Sequence, residues 1–172
     1  MNITLRYGKQ GLSVELPDRN VKHVLRLRRL PVIEHPERQV DSAATSPIGM
    51  TSLADAAKGH GNACIVVSDI TRPVPNACIV PALLDHLNAA GIADEDILIL
   101  VATGLHRGNT ETELRDMGLG AVIDRGVRIE NHDARDTAAH SPLGTTSLGI
   151  PVAVDRRYVQ ADFRILTGLV EP

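Results

Sequence analysis

The chain has 172 residues, enough for one domain with a substantial core, or for a domain with a small appendage. Its apolar content of 43% and charged content of 23% are typical of a soluble globular protein. A net charge of −3, with two tyrosines, one phenylalanine and no tryptophan, argues against a nucleic-acid partner. No apolar run reaches the roughly 18 residues of a membrane span, and the N-terminus lacks a signal-peptide core. Cys64 and Cys78 lack metal-type spacing, so we predict a cytoplasmic protein without a membrane partner.

The first fifty residues are typical of β-strands followed by a connector. NITLRY (2–7) and LSVEL (12–16) flank a Gly-Lys-Gln-Gly turn in the manner of a hairpin. VKHVLRLR (21–28) alternates apolar and polar residues with the period of a strand. Residues 31–50 are rich in proline and polar side chains, which favours a connector. We therefore predict a small β appendage with a connector over residues 1–50, and a separate domain over 51–172.

From residue 51 onward, helical segments alternate with apolar runs of strand length. SLADAAKG and VPALLDHLNAAG are typical of helices, and we expect the second to begin near Val80 because Pro81 disrupts a helix interior. TETELRDMG has a capping box between Thr110 and Glu113. The strand candidates are ACIVVSD, DILILVATG, VRIENHD, TTSLGIPVAV and DFRILTGLV, with DRRYVQA as a short helix. This alternation predicts an α/β fold with a mostly parallel sheet and helices on both faces.

Polar residues concentrate in two loops that directly follow the first two apolar strands of this domain. SDITRPVP (68–75) follows one strand and ATGLHRGNT (102–110) follows the next. Ligands of parallel sheets bind at the carboxyl ends of the strands, so we expect the two loops to form one ligand-binding rim. The polar side chains of this rim are Asp69, Thr71, Arg72, Thr103, His106, Arg107, Asn109 and Thr110.

The residue types in these loops suit the binding of an anion and the transfer of a proton. Asp69 and Arg72 are close enough in sequence to pair, which would aim the guanidinium at a carboxylate or phosphate. Pro73 restricts Arg72 to an extended backbone. His106 is of the residue type that exchanges protons near neutral pH. The alternative is that Asp69 and Arg72 only stabilise a turn, and that His106 is an ordinary surface histidine.

Other motifs give weaker indications of a functional site. NHDARDTAAH (131–140) contains His132, Asp133, Asp136 and His140, whose spacing could mimic metal ligands on a helix. RDTAAHSPLG is typical of a loop, so we predict no metal site in this chain. The glycine-rich nucleotide motifs and the nucleophile elbow are absent from the sequence.

At the two loops the sequence resembles the nickel-pincer-dependent lactate racemases and related 2-hydroxy-acid racemases and epimerases. Leu105 stands where the family often has Thr, and Gly108 stands where Pro is common, which leaves the substrate open. The resemblance extends over residues 50–172, and it rests on DITRPVP and ATGLHR, with support from NHDARD, LGTT and the ending ILTGLVEP.

The resemblance implies the Rossmann-like N-terminal domain of a two-domain isomerase. In that family a nickel pincer nucleotide, a pyridinium mononucleotide that carries nickel, lies in the interdomain cleft. The cofactor takes the Cα hydride of the substrate and returns it to either face. Carried to this chain, the likeness makes Asp69, Ile70, Thr71 and Arg72 cofactor-binding residues. It makes Arg72 also substrate-binding, and His106 one of two acid/base histidines.

The resemblance further implies that essential parts lie beyond this sequence. In the family the second catalytic histidine directly follows the GLVEP-like stretch, and the lysine and histidine that hold the cofactor come later, as does the C-terminal domain. We therefore expect the 172-residue chain to be inactive alone and to lack the cofactor. The alternatives are a non-catalytic module that uses the same rim to bind a phosphate-bearing ligand or a partner, and a homo-oligomer that completes the site between copies.

Overall fold

A computed structural model describes residues 1–8, 10–25 and 31–170 of the chain. By compactness the chain divides into two units, Met1–Glu34 and His35–Pro172. No helix in these described ranges is both long and apolar enough to cross a membrane. The division into an appendage over 1–50 and a domain over 51–172 stays a prediction.

The first unit contains the predicted hairpin. Strands β1 (Asn2–Leu5) and β2 (Leu12–Glu15) pair antiparallel. The further strand predicted over 21–28 does not form at 21–25, and its remainder lies outside the described residues. Alternation with period two shows that a segment suits a strand, but a strand also needs a neighbour with which to pair.

The second unit is built on a four-stranded parallel sheet, which confirms the predicted α/β class. The order of the strands is β5-β4-β3-β8, and β6 and β7 form a separate antiparallel hairpin. The strands are β3 (Ala63–Ser68), β4 (Ile97–Ala102), β5 (Arg128–Asn131), β6 (His140–Thr145), β7 (Pro151–Asp155) and β8 (Phe163–Leu166).

Among the residues that the structure describes, six α-helices accompany these strands, and a π-helical segment, Arg115–Leu119, joins the fourth to the fifth. Ser52 caps the second helix by accepting a hydrogen bond from the Asp55 amide, and Thr110 forms the predicted capping box with Glu113. The helices are α1 (Pro36–Thr45), α2 (Leu53–Ala57), α3 (Asn76–Ala89), α4 (Glu111–Leu114), α5 (Gly120–Asp124) and α6 (Arg156–Gln160).

Two helices differ from the sequence-based expectation. Helix α1 lies within the residues predicted to form a connector. Its Pro36 is compatible with a helix because it occupies the first turn, where no N–H donor is needed. Helix α3 begins at Asn76, not near Val80, and continues through Pro81. A proline inside a helix costs about 3 kcal/mol. Each of the buried residues Val80, Leu83, Leu84 and Leu87 gains about 1.5–3 kcal/mol on burial, so packing of α3 outweighs that cost.

Strand β6 lies where the sequence predicted a loop. Pro142 and Gly144 are poor strand residues, and the register with β7 shifts between them. Pairing with β7, which the local sequence does not reveal, holds the segment extended.

The two faces of the parallel sheet are covered unequally. One face, with Ile65, Val67, Ile99 and Val101, joins the main core with buried residues of α2, α3 and α5. The other face, with Cys64, Leu98 and Leu100, packs with Tyr158 of α6 and Ala161. Helices thus lie on both faces, as predicted, and in the described part of the chain the second face is covered by the short helix α6.

A kink between α4 and α5 brings Gly118 against α3. Gly118 has φ +84°, and a Cβ there would lie 3.0 Å from the Ala77 nitrogen and 3.1 Å from the Ala77 Cβ. Only glycine combines this backbone conformation with so close an approach.

We expect Gly118→Ala to lower the free energy of unfolding more than Gly126→Ala, measured by urea denaturation with circular dichroism. Gly126 has φ +77° but open space around its Cβ position, so its substitution costs about 1–2 kcal/mol of backbone strain. Contact with Ala77 should add at least about 1 kcal/mol in Gly118→Ala. Equal losses in the two variants would contradict this packing.

Candidate functional site

The register of β3 and β4 places the two polar loops side by side. Ser68, the last residue of β3, pairs with Ala102, the last residue of β4. The chain therefore leaves the sheet at the same level in both strands. Loops 68–75 and 102–110 share one edge, as the sequence predicted.

Asp69 and His106 are in direct contact across this edge. The Nδ1 of His106 lies 2.5 Å from Oδ2 of Asp69. The other carboxylate oxygen, Oδ1, accepts hydrogen bonds from the Thr71 hydroxyl at 2.6 Å and from the Thr71 amide at 3.2 Å. Both oxygens of a side chain that is only 7% exposed are thus hydrogen-bonded.

These contacts keep Asp69 ionised. Burial by itself would raise the pKa of Asp69, but the hydrogen bonds from Thr71 and His106 outweigh it, so that the pKa lies below its ordinary value. An ionised carboxylate only accepts hydrogen bonds, so Nδ1 of His106 carries a proton. The side chain of His106 is 60% exposed, and its Nε2 is the ring nitrogen left to exchange protons.

The other predicted binding residues of the first loop lie exposed at the rim. Ile70 is 40% exposed, and Thr71 and Arg72 are also exposed. The Arg72 amide donates to the Asp69 carbonyl at 3.1 Å and closes the turn. The ion pair between Asp69 and Arg72 stays a prediction. The cofactor and substrate roles of the residues 69–72 also stay predictions.

Two other rim residues are engaged in capping helix α4. Arg107 donates to both carboxylate oxygens of Glu113, at 2.6 and 2.8 Å. This contact, with the Thr110 amide, lowers the pKa of Glu113 to about 2. Arg107 and Thr110 therefore stabilise the start of α4 through Glu113.

A second carboxylate–histidine pair was missed by the sequence analysis. His132 Nδ1 lies 2.9 Å from Oδ2 of Asp155, a residue only 5% exposed. The ring of His140 meets that of His132 edge-on, with centroids 4.9 Å apart, and its Nδ1 donates to the Asp136 carbonyl at 2.7 Å. The NHDARD motif drew attention to His132, but nothing in the sequence links it to Asp155, which lies 23 positions later.

These groups line a cavity of about 490 Å³ on the thinly covered face of the sheet. Its wall is mainly apolar, with two imidazoles, one carboxylate and a tyrosine as its polar side chains. The lining residues include Val66, Leu100, Val154, Tyr158 and Leu166 together with His132, His140 and Asp155.

A model of the family described as the lactate racemase N-terminal domain matches residues 7–172. The chain belongs to this family. Lactate racemases of Thermoanaerobacterium thermosaccharolyticum and Lactiplantibacillus plantarum are 34% and 32% identical to it, over 99% and 98% of its length. The chain spans 40% of the length of each of these lactate racemases.

One solved structure agrees with this assignment, and a second shares the fold. The lactate racemase apoprotein of T. thermosaccharolyticum matches with a TM-score of 0.77 at 32% identity, over 96% of this chain and 38% of that one. A Thermotoga maritima protein matches with a TM-score of 0.60 at 18% identity, over 76% of this chain and 32% of its own, which shows a shared fold only.

The chain offers no complete metal-binding cluster within its described ranges. No three His, Cys, Asp or Glu side chains there converge on a point that could hold a metal ion. His132, Asp133, Asp136 and His140, the candidates noted in the sequence, are accordingly not gathered into such a group.

We expect the stability difference between the wild type and Asp69→Asn to depend on pH. The folded-state pKa of Asp69 is below its ordinary value of 3.8, so the ionised carboxylate stabilises the fold above that value. This contribution is lost as the pH falls through the lower folded value. Urea unfolding at about pH 7 and about pH 3 should show a larger wild-type advantage at the higher pH. The exposed Glu95→Gln variant controls for removal of one charge, and a pH-independent difference would contradict the assignment.

Proposed function

We propose that this chain is the N-terminal domain of an isomerase of the lactate racemase type, which inverts the Cα of a 2-hydroxy acid. The observation that supports it best is the contact of His106 with the buried Asp69, at 2.5 Å, on the rim of a domain of this family. His106 is the proposed acid/base group, and Asp69 orients its ring.

The chemistry of a 2-hydroxy acid explains why such a histidine is needed. When a hydride leaves Cα, the carbon becomes a carbonyl carbon only if the hydroxyl also loses its proton. Nε2 of His106 takes that proton when the hydride leaves, and it supplies the proton when the hydride returns to the same face. The ionised Asp69 stabilises the imidazolium that exists between these two steps, and it holds Nδ1 protonated so that Nε2 is the reacting atom.

The rim residues fit the organic part of a nickel pincer nucleotide. Arg72 supplies a guanidinium for a phosphate or for the substrate carboxylate, with Ile70 and Thr71 beside it. Gly104 has open space where a Cβ would lie, and the buried Oδ1 of Asn109 has no hydrogen-bond donor among the described residues. The cofactor, when bound, supplies the hydride acceptor. We place the protein ligands of its nickel in the further domain, and the described residues contain no group of three His, Cys, Asp or Glu side chains that could hold a metal ion.

The remaining catalytic parts are proposed to belong to a further domain. The lactate racemase relatives are longer than this chain, which spans 40% of each. A second acid/base histidine on the opposite side of the substrate, required for proton return on the other face, would come from that additional polypeptide, as would the rest of the cofactor site.

In a racemase that carries this domain, His106→Asn should lower kcat by about 10²–10⁴-fold with little change in KM, because a positioned acid/base group is lost. The measurement is conversion of one lactate enantiomer into the other. His23→Asn, an exposed histidine of the first unit, is the control. An unchanged kcat in His106→Asn would refute the proposed role.

The 172-residue chain alone should show no racemisation and should bind nicotinate mononucleotide only weakly, since one wall of a cleft provides few of the contacts. Enantiomer conversion assays and titration calorimetry test the two points. Tight binding without activity would favour the alternative, a non-catalytic module for phosphate-bearing ligands. Racemisation by the chain alone would show that it needs no further domain.

A further inference from the structure

The loop that carries His106 is attached to the end of strand β5 at two points. At the start of the loop, the Thr103 hydroxyl donates to the His132 carbonyl at 2.5 Å. At its end, the Asn131 side chain bonds both backbone groups of Asn109: Oδ1 accepts from the amide at 2.8 Å, and Nδ2 donates to the carbonyl at 3.0 Å. Two consecutive residues thus hold both ends of one loop.

We propose that Asn131 and His132 form a clamp that positions His106 against Asp69. In this Asn131–His132 clamp neither residue reacts; each acts through the loop. The value of the clamp for catalysis rests on the proposed function, but its effect on the loop and on the His106 ring is a property of this chain.

The middle of the loop has little packing to hold it in place. Gly104 has φ +58° with open space around it, Leu105 is 72% exposed, and the His106 side chain is 60% exposed. The two anchor residues are buried instead, Thr103 at 2% and Asn109 at 8% exposure. Hydrogen bonds at buried ends decide the position of such a loop, because breaking them leaves buried polar groups unsatisfied.

A glycine makes the second attachment fit. A Cβ on Gly108 would lie 3.2 Å from Cγ and from Nδ2 of Asn131, which is closer than a Cβ atom normally lies to a non-bonded neighbour. The absence of a side chain at position 108 therefore lets the Asn131 amide reach the backbone of Asn109.

The clamp itself is held by an ionic network at the end of β5. The His132 amide donates to the Val101 carbonyl at 3.0 Å, and its ring is fixed by Asp155. Arg157 donates to both oxygens of Asp155, at 2.6 and 3.0 Å, to the Asn131 carbonyl at 3.2 Å, and to Glu130.

Arg157 thereby ties together three consecutive residues of β5 and its extension, two of them directly and His132 through Asp155. Burial would raise the pKa of Asp155, but the contacts with Arg157 and His132 hold it well below its ordinary value. The network is therefore charged and intact at neutral pH, so that the clamp has a rigid base.

The proposal is tested by removing each attachment and observing the loop. Thr103→Val keeps the shape but loses the donor, whereas Thr103→Ser keeps the hydroxyl. Asn131→Ala removes both bonds to Asn109. Loss of a buried hydrogen bond should speed exchange of the His106 amide, which donates to the Thr103 carbonyl at 3.0 Å, by about tenfold in Thr103→Val and in Asn131→Ala, and Thr103→Ser should exchange like the wild type.

The His106 ring gives a second readout that a purely structural role would not change. In the wild type, the neutral ring should carry its proton on Nδ1, facing Asp69, which ¹⁵N chemical shifts report. In Thr103→Val and Asn131→Ala we expect a mixture of the two tautomers, and in Thr103→Ser a return to the Nδ1–H form. Should Asn131→Ala fail to fold, Asn131→Asp, which keeps the acceptor and loses the donor, carries the same test.

Asn88→Ala is the matched control at the other end of β4. Asn88 Nδ2 donates to the Ile92 carbonyl at 2.9 Å and to Asp94 at 3.0 Å, so its loss destabilises the fold without touching the loop. The proposal would be overturned if the clamp variants kept the amide exchange rate and the His106 tautomer of the wild type. It would also be overturned if Asn88→Ala changed both as much as the clamp variants do. If His106→Asn leaves racemisation intact while these effects are seen, the proposed function fails and the clamp stands.

Discussion

The parallel pairing of β3 with β4 is the constraint on which the rest of the site depends. Ser68 and Ala102 end their strands as partners, so that Asp69 and the His106 loop emerge at one level. A parallel pair shifted by two residues would keep the same faces buried but would separate the carboxylate from the imidazole by about 7 Å, given the rise of a strand. The alternating side chains of both strands contribute to the two core clusters, and the free energy of that burial excludes a shift by one residue, which would exchange the two faces.

The buried carboxylate of Asp69 lies at this edge, and its hydrogen bonds compensate for the loss of hydration. Asp69 would be costly to bury if its carboxylate were unpaired, because a buried ion without partners loses its hydration. Thr71, two residues away, supplies two hydrogen bonds from the same turn, and His106 supplies the third. The local turn therefore satisfies one oxygen of Asp69 and leaves the other to orient the histidine, which couples folding of the edge to the position of the His106 ring.

A similar arrangement of carboxylate and imidazole recurs one strand further along the sheet. His132 and Asp155 are also held at hydrogen-bond distance, but His132 is mostly buried, and Arg157 shares the carboxylate. Exposure distinguishes the two pairs: the His106 side chain is 60% exposed, while that of His132 is 18% exposed. The first pair presents a ring nitrogen at the rim, whereas the second mainly fixes the backbone beside it.

Much of this protein was determined by the sequence alone, because the forces concerned act over short stretches of chain. Apolar runs identified β3 and β4, the Thr110–Glu113 capping box marked the start of α4, and the polar loops after two parallel strands indicated the rim. Features that depend on partners distant in sequence could not be found this way. Strand β6 exists because β7 pairs with it, α3 runs through Pro81 because its apolar face is buried, and Asp155 meets His132 only across the folded sheet. The tertiary structure alone decided that Asp69 orients His106 and that Asn131 holds the loop, since a hydrogen bond between distant residues is set by the packing of strands and not by the local pattern.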